Sequence, residues 1–117
     1  MMRVIDGVTT NIGFTNHSID RFDRNLVKQC RLIKDDIIPV FYHNDKKSGD
    51  SLVWVIQDFL KIDASSIVII IDETSGLSLV TEVFYDIILD ELNIQIITVW
   101  DGLDIRIRFG QNVIRTV

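Results

Sequence analysis

Cysteine and proline are almost missing from this chain. The single cysteine, Cys30, excludes an internal disulfide and fits a reducing compartment. With no second cysteine or histidine at metal-ligand spacing, a structural zinc site is excluded as well. The one proline, Pro39, sits in the run Ile37-Ile38-Pro39-Val40-Phe41-Tyr42, where it predicts the start or the edge of a strand. No apolar run approaches the roughly 18 residues of a membrane span. Residues Met1 to Asp6 lack the apolar stretch of a secretory signal. These absences predict a cytoplasmic protein with no membrane partner. Phosphate-binding glycine loops and paired Asp-x-Asp acids are lacking too, so neither a cofactor nor a bound metal is expected.

Positive charge is in short supply. The chain holds 17 Asp and Glu against 12 Lys and Arg, a net charge of −5. Duplex nucleic acid is bound mainly by neutralising phosphates, which an acidic molecule does poorly. The same field favours basic partners. What is plentiful is aliphatic surface: 47% of the 117 residues are hydrophobic, enough for an ordinary core. Without repeats or linkers, residues 1–117 read as one domain.

Apolar spacing predicts the elements. Ile19, Phe22, Leu26, Cys30 and Ile33 form a helical stripe over 16–34, which places Cys30 in the core. Leu52, Val55, Ile56, Phe59 and Leu60 do the same over 50–61. A third stripe, Val80, Val83, Phe84, Ile87, Ile88 and Leu92, predicts a helix over 76–93 that ends at Asn93. Strands are expected at 3–13, 36–43, 66–72, 94–100 and 103–109, although Asp6-Gly7 could instead turn a short hairpin in the first. Ile67 to Ile71 is apolar throughout, as a strand covered on both faces requires. Asp101-Gly102 signals a tight turn into an alternating last strand. The expected fold is an α/β layered sandwich: a mixed, mostly parallel sheet of about five strands, three helices and a C-terminal antiparallel hairpin.

In such a sheet, ligands sit beyond the carboxyl ends of the strands. His43, Asp72 and Glu73 stand at two such ends, with Asp101 at a third. Imidazole and carboxylates there suit proton transfer in a small hydrolase. The plainer reading of Asp72-Glu73-Thr74-Ser75 is a cap on the next helix, because those side chains accept hydrogen bonds from free backbone N–H groups. A second constellation is His17, Arg21 and Arg24, on nearby positions of the first helix. The stretch Phe14 to Arg24 resembles the His-then-Arg helix of RelE-like toxin ribonucleases. The resemblance implies a proton-moving His17 with Arg21 and Arg24 on the phosphate. It covers that stretch alone, and the rest of the chain departs from the basic, mainly antiparallel pattern of those toxins. As a surface, Asp20 and Arg24 make an ordinary ion pair on a solvated face.

No catalytic set is compelling, so an interaction protein is favoured over an enzyme. The expected function is that of an immunity- or antitoxin-type inhibitor that neutralises a basic toxin nuclease. Glu82, Asp86 and Asp90 form one ridge of the predicted third helix and would meet the partner. Trp54, off the stripe of the second helix, is a further contact candidate.

Overall fold

Alternation with a period of two, not 3.6, governs residues 77–101. Leu79, Thr81 and Val83 are buried while Glu82 and Phe84 point outward. Valine, threonine, phenylalanine and tyrosine suit a pleated strand, and β4 is paired along its length with a strand on either flank. The computed structural model describes residues 1–15, 37–62 and 64–117. Within them the strands are β1 (Met2–Ile5), β2 (Val8–Phe14), β3 (Ser65–Asp72), β4 (Leu77–Asp86), β5 (Glu91–Asp101) and β6 (Asn112–Thr116). One α-helix, α1 (Leu52–Leu60), and a short 3-10 helix (Ile38–Tyr42) accompany them.

The six strands form a single mixed sheet in the order β1-β2-β5-β4-β3-β6. β2 with β5 and β3 with β6 are parallel; the other pairs are antiparallel. The expected layered sandwich is overturned, because the described chain is mostly sheet, with one α-helix where three were expected. The predicted helix over 76–93 is the β4–β5 hairpin. Its crossover from β3 to β5 does not exist either, since β4 lies between those strands. The predicted helix over 16–34 lies outside the described residues.

Two further expectations change. The strand expected over 36–43 is absent from its described part, 37–43: Pro39 stands in the first turn of the 3-10 helix, where its missing N–H is not needed. Residues 103–109 do not pair with β5. Asp101 ends beside Leu77 of β4, and β6 begins beside Val68 on the far flank of β3. The connection between them must therefore cross β4 and β3. It crosses on the face opposite α1, since Ser78 donates to the Gly102 carbonyl at 2.6 Å and Ile107 lies beside Val113.

The core lies on the other face. Val68, Ile70, Leu79, Val83, Ile94, Ile96 and Ile114 meet Leu52, Val53 and Ile56 of α1, with Val40 and Phe41 of the 3-10 helix. Each such side chain contributes roughly 1.5–3 kcal/mol by leaving water. The helix predicted over 50–61 is present as Leu52–Leu60. At the amino end, Asp6 (φ 47) and Gly7 (φ 79) make the two-residue turn that joins β1 to β2. No helix among the described residues is long and apolar enough to cross a membrane.

Core and turn respond differently to truncation. Leu79→Ala should lose about 2–5 kcal/mol, the usual range for a buried leucine. Ile88→Ala, at the β4–β5 turn, should stay within about 0.5 kcal/mol. Urea unfolding of both variants checks this. A large loss at Ile88 would restore the helix, in whose apolar stripe that residue falls.

Candidate functional site

Two acids end β3, and their fates differ. Asp72 closes the buried face of the strand, and Glu73 begins the turn. Asp72 is fully buried. Its Oδ1 accepts from Thr116 Oγ1 of β6 at 2.6 Å and lies 2.8 Å from His43 Nδ1. Its Oδ2 accepts the Ser75 N–H at 2.9 Å. Burial is the largest single influence on this carboxyl and by itself raises its pKa. The hydrogen bonds from Ser75, Thr116 and His43 together outweigh it and hold the group below the ordinary carboxylate range. An ionised Asp72 only accepts, so the proton of the His43 ring sits on Nδ1. That leaves Nε2 facing away from the carboxylate.

The surroundings make the pair rigid. His43 follows the 3-10 helix, and its carbonyl accepts the Leu52 N–H at 3.1 Å, which fixes the start of α1. Asn44 and Val117 exchange backbone hydrogen bonds, and Glu73 N–H donates to the Thr116 carbonyl at 2.8 Å. The expected cap on a following helix is replaced by a turn. Asp72 takes the Ser75 N–H with its side chain and the Gly76 N–H with its carbonyl, and Gly76 (φ 74) leads into β4.

The other predicted residues are dispersed. Glu73 binds Lys46 Nζ at 2.7 Å on the surface. Asp101 is separated from Asp72 in the sheet by Leu77, so the three strand ends do not converge on one point. Among the described residues, no group of three or more His, Cys, Asp or Glu is placed to hold a metal ion. Trp54 is exposed, and its indole donates to the Asp6 carbonyl at 3.2 Å. His17, Arg21 and Arg24 lie outside the described residues, as does Cys30.

The acidic ridge is gone with its helix. Glu82 points outward from the middle of β4, between Ile67 and Gln95. Asp86 instead accepts the N–H groups of Ile88 and Leu89, both at 3.0 Å, and Asp90 (φ 53) closes the same turn. At that tip Ile87, Ile88 and Leu89 stand exposed in succession, which the helical reading had placed partly inside. Beside the tip is a hollow of about 450 Å³, lined among others by Leu60, Ile62, Ala64, Tyr85 and Ile87. Composition could have flagged the tip only once the strands on either side were recognised. Thr116 offered no local signal, because its partner Asp72 is 44 residues away. Comparison with protein-family models, with curated proteins and with solved structures finds no match.

Asp72 sets a pH dependence whose sign follows from its depressed pKa. The stabilisation is complete above the unfolded value, about 3.9, and is lost as pH falls from there through the folded value. At neutral pH, Asp72→Asn should cost roughly 1.5–3 kcal/mol, the range for hydrogen bonds to a charged group. The gap between wild type and variant should narrow as unfolding is measured below about pH 4. A gap independent of pH would mean that the carboxylate charge plays no part.

Proposed function

We propose that the protein acts by binding another protein, as an inhibitor of the immunity type that neutralises a basic toxin nuclease inside the cell. The observation that carries this reading is the tip of the β4–β5 hairpin. Ile87 and Ile88 are 86% and 94% exposed, and Ile62 beside them is 88% exposed. Hairpin turns are ordinarily polar, and clustered exposed aliphatic residues mark contact surfaces. Asp86, Asp90 and Glu91 collar the tip. An apolar knob within an acidic collar suits a partner whose apolar pocket is rimmed by Lys and Arg. The net charge of −5 supports the same sign of partner. Asp86 and Asp90 thus keep their role in the proposal through the hairpin. Glu82 lies in the middle of β4, apart from the collar, and Trp54 is bonded to the Asp6 turn between β1 and β2.

A second reading has one observation in its favour. His43 is oriented by a buried carboxylate and keeps Nε2 without a hydrogen-bond partner among the described residues, the arrangement of a general base. It would make the protein a small hydrolase or ribonuclease working through His43 and Asp72. Glu73, held by Lys46, would stand at its margin.

Replacing Ile87, Ile88 and Leu89 together by Ser tests the first reading. Because all three are exposed, thermal unfolding should be nearly unchanged. Affinity for the cationic partner taken from the native host should fall about 30-fold or more, as for loss of a central hot spot. Inhibition of that partner's nuclease activity should fall with it. Undiminished inhibition by the folded triple variant would remove the tip from the interface. An RNA- or ester-cleaving activity abolished by His43→Gln would instead establish the second reading.

A further inference from the structure

An acidic protein has little reason to gather its cations, yet among the described residues one place does so. A hollow of about 330 Å³ lies on the sheet face away from α1, lined by Asp45, Lys46, Lys47, Ile107, Val113 and Arg115. Its walls come from segments far apart in sequence: the 45–48 turn, the 102–111 connection and β6. The juxtaposition is built by the backbone. Lys46 N–H donates to the Arg115 carbonyl at 2.8 Å, and Asp45 bridges to Thr116, so the turn is clamped along the outer edge of β6.

The one acid in the wall is already occupied. The Asp45 carboxylate accepts from the N–H groups of Lys47 and Ser48, at 3.3 and 3.2 Å, and from Ser48 Oγ at 2.7 Å. It shapes the turn that presents the two lysines. Lys46 shares its charge with Glu73 at the rim. Lys47 and Arg115 have no ion pair among the described residues. Arg106 and Arg108 flank Ile107 in the chain and add positive charge to the approach. Screening in physiological salt confines fields to about 8 Å, so this local excess outweighs the net charge of the whole molecule.

We propose that this hollow binds a phosphorylated small molecule. The phosphate meets the ammonium groups of Lys46 and Lys47 and the guanidinium of Arg115, whose planar fork matches two phosphate oxygens. The less polar part of the ligand lies on the aliphatic side chains of Ile107 and Val113. The volume is that of a small-ligand pocket. The site shares no residue with the hairpin tip and stands or falls independently of the inhibitor reading.

Calorimetric titration at low salt with adenosine 5′-monophosphate, adenosine and inorganic phosphate tests it. The expected result is saturable binding of the monophosphate that weakens as salt is raised, with adenosine and inorganic phosphate each bound at least about tenfold less well. Lys47→Gln with Arg115→Gln should weaken the monophosphate about tenfold or more. Arg3→Gln, which removes one charge at the opposite edge of the sheet, should not. Both altered residues are exposed, and unchanged thermal unfolding verifies the fold. The proposal is overturned if the monophosphate fails to saturate at millimolar concentration, or if the double variant binds it like wild type. It is equally overturned if a single-stranded oligoribonucleotide binds where the monophosphate does not, since the face would then be a polyanion track.

Discussion

A carboxylate lies inside this molecule, shielded from solvent, and the arrangement of three chain segments follows from its need for donors. Removing an ionised acid from water costs several kcal/mol unless hydrogen bonds replace the hydration. For Asp72 the replacements come from the turn after β3, from the end of β6 and from the loop after the 3-10 helix. Each donor belongs to a segment that local propensity would leave free. Thr116 draws in the last strand, and His43 draws in the residues that start α1. The Lys46–Arg115 backbone contact lies along the same seam, so the basic hollow is a by-product of satisfying one buried charge.

The elements legible in the sequence are those in which one physical demand dominates. β3 reads correctly because an unbroken aliphatic run has no solvated face in either kind of element, and its length suits a strand. The α1 stripe of Leu52, Val55, Ile56, Phe59 and Leu60 is legible because those residues share one side only in a helix, and it misses Val53, which is buried as well. The residues of β4 satisfied two patterns at once. Val80, Val83, Phe84, Ile87 and Ile88 fit a helical face, while Leu79, Thr81 and Val83 fit a strand. Two flanking strands decided between them, and neither flank can be read locally. Opposite Val80 and Thr81 the register shifts, leaving Ile97 of β5 without a partner in β4 and breaking the alternation of that neighbouring strand. Leu103 to Phe109 alternates like a strand but is drawn away from β5, because the chain here crosses the sheet face opposite α1 to reach β6 beyond β3.

The candidate site was legible in part for the same reason. The rule that loops gather at strand ends brings His43 and Asp72 together, although His43 follows a 3-10 helix and not a strand. Glu73 and Asp101 carried the same polar signature and are spent separately. Polar residue types announce a turn; they do not announce which other turn lies opposite. The exposed Ile87-Ile88-Leu89 is concealed more deeply, since an aliphatic run reads as interior.

The parallel contact between β2 and β5 has a further consequence, for the order of assembly. Asn11 and Asn93, joined by a side-chain hydrogen bond across that pair, are 82 residues apart. Closing so long a loop is entropically unfavourable until other contacts reward it, and chains dominated by such pairings fold slowly. The β3–β4–β5 meander, held by two short turns, has no such delay. It is the natural nucleus, on which the β1–β2 hairpin docks from one flank and β6 from the other. Truncations in β4 should therefore slow folding, whereas truncations in β1 should mainly speed unfolding.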